Sequence, residues 1–572
     1  MMSTSQTSPT PASKSSAAFY GRFLIFIAGL GGLLYGIDVG IIAAALLYLN
    51  KTVNLSLEQT SIIVAAVLGG SMLSSPIAGV LGDWLGRKKM MLLGGLMFVA
   101  SVGLIVLSQG FSSLFLGRLL QGASGGVIAV VVPLYLAETL RANRRGQGTA
   151  IFQFMLTFGI VIAALIGWYY TRQAESAIAL AAGNLNLIRA AQNHAWRGMF
   201  FAVIYPGLIF FAGSFFLSES PRWLLRKGKR DAAYKALLRS QSEEEAQLEM
   251  AEMEALAQAK TAKTANRSGS RPGDSLFQRK YVFPFLLACF ILAINQATGI
   301  NSVLGFLVVI LKQAGMAATH ATQGDVIVKV LNCVMTLVGV ALVEKKGRKF
   351  LLKLGTGGIV LSLVAGAVVF LGFESKRVDI KEMLQTAETG NTLTMSVNAA
   401  PGHAMSLTTL YTYGNGDRIA TVLSNDENPV LTIKPEAKEA NAPLLIKKAL
   451  YGPVPPERTG WLVTLCLAIF IASYAVGPGV VVWLTLSELM PTRIRSTGMG
   501  IAMLLNQGVG TLIAGIFLPV VGNQGYYAMF LFLAGCTFTY FLAATFLLPE
   551  TKGKTLEEIE MHFEGNRPEI VR

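Results

Sequence analysis

The sequence predicts an all-α membrane protein with twelve spans in two six-helix halves, and three observations carry that prediction. Hydrophobic residues occupy 53% of the 572 positions. Charged residues occupy only 14%, against roughly 25% in a soluble domain, too few to cover a soluble surface of this size. Apolar runs of about twenty residues, the length that crosses a hydrocarbon layer, recur twelve times. The 59 glycines fit helices that approach closely or bend within a membrane.

Taken in order, residues 1–18 are rich in Ser, Thr and Pro and read as a disordered cytoplasmic tail, with no removable signal peptide. The N-terminal half, residues 19–217, carries apolar runs at 19–49, 60–81, 90–107, 114–137, 148–170 and 199–217. Residues 218–280 form a cytoplasmic linker, helical with mixed charge over 220–254 and a low-complexity basic stretch over 259–274. The C-terminal half, residues 281–548, carries runs at 282–311, 326–343, 350–373, 460–486, 497–521 and 526–548, and residues 549–572 form a cytoplasmic tail.

Basic clusters follow the even-numbered spans: Arg87-Lys88-Lys89, Arg141 with Arg144 and Arg145, Arg222 to Arg230, Lys345-Lys346 with Arg348-Lys349, and Arg493 with Arg495. By the positive-inside rule these loops and both termini are cytoplasmic, in the inner or plasma membrane of a cell. The net charge of +15 lies in these clusters, which argues against nucleic acid as a partner. The four cysteines lie inside apolar runs and the four histidines in loops or the tail. The cysteines have no metal-ligand spacing, the place of the histidines argues against a histidine proton relay through the membrane, and no catalytic constellation appears, so an enzyme, a metal and a cofactor are not expected.

The halves repeat. Gly82-Asp83-Trp84-Leu85-Gly86-Arg87-Lys88 follows span 2, and Val343-Glu344-Lys345-Lys346-Gly347-Arg348-Lys349 follows span 8. Glu138 precedes Arg145 by seven residues, and Glu488 precedes Arg495 by the same seven. Ser218-Glu219-Ser220-Pro221 after span 6 echoes Pro549-Glu550-Thr551 after span 12. Arg87 and Arg145 are 58 residues apart and Arg348 and Arg495 are 147 apart, so one extracytoplasmic insertion, residues 374–459, explains the 89-residue difference. Its alternation over 394–397 and 407–424, with the turn Gly414-Asn415-Gly416-Asp417, predicts a small β-rich element. It either caps the entrance, binds a partner or is inert. Two six-span inverted repeats joined by a cytoplasmic segment are the layout of a carrier that rocks around a midplane site.

The ordered motifs resemble the sugar porter family of the major facilitator superfamily over nearly the whole chain, apart from the N-terminal tail and the insertion. They are Gly36-Ile37-Asp38, Gly82 to Lys88, Arg118-Leu119-Leu120-Gln121-Gly122, Pro133 to Glu138 and Glu219-Ser220-Pro221-Arg222-Trp223-Leu224. Asn295-Gln296-Ala297-Thr298-Gly299-Ile300-Asn301, Gly477-Pro478-Gly479 with Trp483, and Pro549-Glu550-Thr551-Lys552-Gly553 complete the set. The resemblance implies the major facilitator fold and a functional monomer in the lipid bilayer, with a monosaccharide and a proton as its partners.

A carboxamide both donates and accepts, as sugar hydroxyls do. Gln153, Asn295, Gln296, Asn301, Asn332 and Asn506 stand inside apolar runs and match positions that the family uses to hold sugar. Gly479 falls in the matching span-10 motif, and Trp483 and Tyr35 offer flat apolar partners. The alternative is that some of these amides only join helices. The sequence departs from the family at Asn295-Gln296, usually two glutamines, at Gly305-Phe306, usually two tyrosines, and at Ile37 and Gln507. The pocket is therefore expected to be reshaped, with Gly305 removing an aromatic wall or altering the outer gate.

Asp38 and Arg118 are the charges placed well inside first-half spans, where each costs about 2.5–3.5 kcal/mol. The resemblance makes them the proton-coupling pair, the aspartate taking up a proton when the two separate; a structural salt bridge is the alternative. Arg87, Glu138, Arg145, Glu219, Glu344, Arg348, Glu488 and Arg495 are expected to form a cytoplasmic gate. The function expected is proton–sugar symport for a pentose or hexose. A facilitative sugar uniporter and a transporter-like sugar sensor are the competing readings.

Overall fold

In the computed structural model the described residues are 11–140, 142–266, 279–386, 391–399, 404–424, 429–435, 441–490 and 495–552, and the side chains of 11–18, 141–147, 149, 256–280, 344, 483, 484, 486, 487 and 495–497 are not described. Among the described residues twelve helices are long and apolar enough to cross a membrane. In the first half they are Phe19–Gly40, Leu57–Leu85, Arg87–Val106, Phe111–Thr139, Ala150–Leu180 and Leu185–Phe215. In the second they are Tyr281–Gln313, Ala318–Val343, Arg348–Glu374, Glu457–Val482, Gly498–Gln524 and Tyr526–Phe546. They are called spans 1 to 12.

Several boundaries differ from the sequence reading. The first helix begins at Pro11, within the segment read as a disordered tail. Spans 5 and 6 run on to Leu180 and back to Leu185, through polar residues such as Gln173 and Arg189 that end the apolar runs. Asn184 caps the return helix by accepting from the backbone N–H of Asn186 and Leu187, and its buried face of Ala195, Trp196 and Met199 holds it. The linker folds as Pro221–Arg226, Arg230–Leu238 and Glu243–Asn266, so its third helix extends into the stretch read as low-complexity.

Spans 1, 6, 7 and 10 are discontinuous, span 6 at Val203. Span 1 breaks at Ile41 and continues as Ile42–Thr52, span 7 breaks between Ala297 and Ile300, and span 10 breaks at Gly477. Gly299 has φ +82°, a left-handed conformation that costs glycine nothing and lets the chain turn between the two helical pieces of span 7. Breaks in spans 1 and 7, which occupy the same place in the two repeats, free backbone groups near the middle of the bundle.

The repeated Gly-Arg-Lys turn has a physical cause. Gly86 and Gly347 sit at φ +97° and +87° just before spans 3 and 9. A Cβ at Gly86 would come within 2.2 Å of Glu219 Oε2, and one at Gly347 within 2.8 Å of Glu550 Oε2. Those carboxylates accept from the first backbone amides of the next span, Arg87 and Lys88 at 2.8 and 3.2 Å, and Arg348 and Lys349 at 3.0 and 3.1 Å. Each half thus ends its chain by capping the start of its own third span with a negative charge. At the other end of the bundle Glu374 does the same for span 12, accepting from Tyr526 and Tyr527.

The insertion is β-rich, as expected from its alternation. Its strands are β1 (Val378–Asp379), β2 (Leu393–Ser396), β3 (Met405–Thr412), β4 (Asp417–Leu423), β5 (Val430–Ile433) and β6 (Leu445–Pro453). They form an antiparallel sheet in the order β1-β6-β3-β4, and a separate β2-β5 pair. Leu393, Leu407, Leu431 and Ile446 form its own small core. The turn between β3 and β4 rests on the start of span 2, where the Asp417 N–H donates to Glu58 Oε2 at 3.2 Å. Ile419 and Leu410 reach Gly522 at the end of span 11. The insertion therefore touches both halves.

Candidate functional site

The carboxamides of the second half meet in one bonded chain. Asn301 Nδ2 donates to Gln296 Oε1 at 2.8 Å, Gln296 Nε2 to Asn506 Oδ1 at 3.2 Å, and Asn506 Nδ2 to the Leu292 carbonyl at 2.9 Å. Asn295 Nδ2 donates to the Tyr474 hydroxyl at 3.3 Å, and its Oδ1 is buried without a partner. The Gln507 Oε1 is left the same way. Such unfilled acceptors, on amides already oriented by their neighbours, suit a ligand that brings hydroxyl donors. Tyr474 was missed by the sequence reading; its signal was a hydroxyl-bearing aromatic three residues before the Gly477 break.

Gln153 and Asn332 lie on spans 5 and 8, which pack against each other, and not on the spans that carry this chain of amides. Span 5 meets span 8 where the Thr157 hydroxyl donates to the Cys333 sulfur at 3.6 Å, one turn from Gln153 and beside Asn332. Asn332 is buried and Gln153 half-buried. Gly479 packs where a Cβ would lie 3.1 Å from the Tyr474 ring. The Tyr35 ring lies on Gly125, at 2.9 Å from where a Cβ would be. The Trp483 side chain lies outside the described residues.

Asp38 and Arg118 are both buried, at 0% and 1% exposure. The arginine is held without the carboxylate: Nη1 donates to Gln121 Oε1 at 2.6 Å, Nη2 to the Asp38 backbone carbonyl at 3.4 Å, and the guanidinium lies 5.6 Å from the Phe200 ring centre. Among the described residues neither Asp38 carboxylate oxygen has a hydrogen-bond partner. The pair is thus adjacent but not locked together as a structural salt bridge. Gln121, in the motif beside Arg118, is the orienting group that the sequence reading did not single out.

The gate residues form two clusters. Arg87, 1% exposed, pairs with Glu138 at 2.8 Å and Asp83 at 2.8 Å. Glu138 also accepts from Arg226 at 2.9 Å and from the Ser220 hydroxyl at 2.6 Å. In the second half Arg348 pairs with Glu488 at 3.1 Å. These described pairs join helices within one half or tie the first linker helix to it, and Glu219 acts as the cap already described. The side chains of Arg145, Glu344 and Arg495 lie outside the described residues.

The halves close against each other at the insertion end. A Cβ on Gly305 would lie 3.0 Å from Val64 Cγ1 and 3.8 Å from Ile42 Cγ2, so the space left by the missing aromatic is taken by the opposite half. Nearby, the Leu518 N–H donates to the Ser61 hydroxyl at 3.2 Å, and Phe306 stacks on Phe517 at 4.8 Å.

The chain matches the family described as "Sugar (and other) transporter" over residues 24–394 and 447–563, leaving out the heart of the insertion. It belongs to that family. The glucose transporter GlcP of Staphylococcus epidermidis is 26% identical, with 94% of this chain and 96% of the relative covered. The proton myo-inositol cotransporter hmit-1.1 of Caenorhabditis elegans is 28% identical, covering 95% and 90%. The inward open xylose transporter XylE from E. coli shares the fold at a TM-score of 0.64 and 20% identity, covering 94% of this chain and 98% of that one. The protein is therefore a multi-pass membrane transporter with the major facilitator fold, and not an enzyme.

Proposed function

We propose that the chain is a proton-coupled sugar symporter that works by alternating access. The observation that carries the reading is the buried Asp38 carboxylate, without a donor, beside an Arg118 that is anchored independently of it. A proton arriving at Asp38 removes a charge from an apolar setting, while Arg118 stays where it is. Relatives described as a glucose transporter and as a proton myo-inositol cotransporter support both halves of the reading. A pentose, hexose or cyclic polyol would lie between Gln153 and Asn332 on one side and the Asn295–Gln296–Asn301–Asn506 set on the other, with Tyr35, Gly479 and Trp483 lining the pocket.

The basic loops and both termini face the cytoplasm of a cell or plasma membrane, and the insertion faces outward. The described state has the two halves in contact at the insertion end. The described charged clusters, Arg87–Glu138–Arg226 and Arg348–Glu488, hold each half rigid at the cytoplasmic end and contribute to closing that end in the outward-facing state. One chain carries all of these groups, so the functional unit is a monomer.

The deciding experiment is uptake of radiolabelled pentoses, hexoses and myo-inositol into proteoliposomes, with and without an imposed pH gradient. Accumulation that requires the gradient supports symport. Equilibration alone, whatever the gradient, replaces it with uniport.

A further inference from the structure

Span 8 holds a second buried ion pair, which neither the gate clusters nor the Asp38–Arg118 pair accounts for. Asp325 and Lys329, one turn apart, are exposed by 1% and 0%, and Lys329 Nζ lies 2.8 Å from Asp325 Oδ2. An i,i+4 pair can satisfy itself along its own helix. This one reaches further: Lys329 Nζ also donates to the Gly40 carbonyl at 3.0 Å. Gly40 belongs to span 1, in the opposite half. Its carbonyl ends the helix at the Ile41 break, where a helix leaves acceptors unfilled and a cation is favoured.

We propose that Lys329, oriented by Asp325, is a latch between the two halves that holds the insertion end of the pathway closed by gripping the Gly40 carbonyl. The bond joins groups on opposite sides of the cleft, so opening that end must break it, whereas the Lys329–Asp325 pair travels intact with span 8. Gly40 follows Asp38 by two residues, and Lys329 precedes Asn332 by one turn. The latch therefore spans from the proton-coupling segment to the span carrying one of the candidate ligand amides. Asp325 Oδ1 has no partner among the described residues, so opening would let water reach it and offset part of the broken bond. A latch with such compensation can be strong enough to seal the pathway and still release within a transport cycle.

The inference rests on alternating access but not on the identity of the solute or on proton coupling. It is tested by labelling Ile42→Cys, buried in the closed end, with a membrane-impermeant maleimide in sealed vesicles of a variant lacking the four native cysteines. Leu445→Cys, exposed on the insertion, reports separately which vesicle face presents that end, so a wrong orientation is distinguished from a wrong latch. Lys329→Met, and the double variant Asp325→Asn with Lys329→Met that leaves no lone charge, should each raise Ile42→Cys labelling about tenfold, equivalent to about 1.4 kcal/mol. Lys329→Arg, which keeps a donor, should stay near the parental rate. Labelling of the properly folded double variant within about twofold of the parent would overturn the proposal and leave the pair a packing feature of span 8.

Discussion

Replacing Asp38 by Asn separates coupling from binding and from folding. The three contacts that hold Arg118, to Gln121, to the Asp38 backbone and to Phe200, do not use the carboxylate, so the arginine keeps its place in the variant. Asn has the same shape, and the wall at Gly125, whose Cβ position is 3.5 Å from Asp38 Oδ2, accepts it without a clash. The variant mimics the protonated aspartate permanently. One inward proton contributes roughly 2.3 kcal/mol per 100 mV, so the parent should concentrate sugar about 50-fold at that potential. The variant should fall to a ratio of about one while exchanging internal for external sugar at a rate within an order of magnitude of the parent. Radiolabelled uptake and counterflow in the same proteoliposomes measure both quantities. An Asp38→Asn variant that still concentrates sugar under an imposed pH gradient would refute the assignment, because another group must then carry the proton.

Three further outcomes are expected. Gln153→Ala and Asn301→Ala should each weaken sugar binding by about 1–3 kcal/mol, read as the dissociation constant in a fluorescence titration; unchanged affinity in both would remove them from the site. Glu138→Ala should leave Arg87 buried without its main partner and cost about 3–5 kcal/mol, seen as a large drop in Tm of the detergent-solubilised protein, whereas a Tm near the parent's would mean that the cluster is not needed for stability. Gly305→Phe should collide with Val64 and Ile42 of the opposite half and wedge the insertion end open, so Ile42→Cys labelling should increase and net transport should decrease; unaltered labelling would show that the Gly305 contact does not seal that end.

Most of the architecture was legible because the bilayer leaves so few options. Apolar length gave the number of spans, since a helix crossing hydrocarbon must satisfy its backbone internally. Where polar residues continue a helix outside that layer the rule is silent, and the reading stopped spans 5 and 6 short of Leu180 and Leu185. The β-rich character of the insertion was visible in its alternation, but the pairing of β6 with both β1 and β3 was not, because register is set by partners far along the chain.

For the site, residue types and their order sufficed to single out Asp38, Arg118 and the carboxamides. Which amide bonds which neighbour, and which acceptors remain open, was decided only when spans 7, 10 and 11 came together. The same holds for Arg118, whose two Nη groups are held by Gln121 and a backbone carbonyl and not by the carboxylate that the charge count would have paired with it. Lys329 stood in plain sight within an apolar run, yet nothing near it in the chain points to Gly40, 289 residues away. The sequence by itself determined the solvent, the number of crossings, the twofold repeat and the inventory of polar groups placed in the core, because each of these follows from local composition and spacing. Tertiary structure alone decided which of those groups are satisfied, which are left open, and at which end the halves touch, because hydrogen bonds are short and directional and depend on side chains that only the packed helices bring within reach.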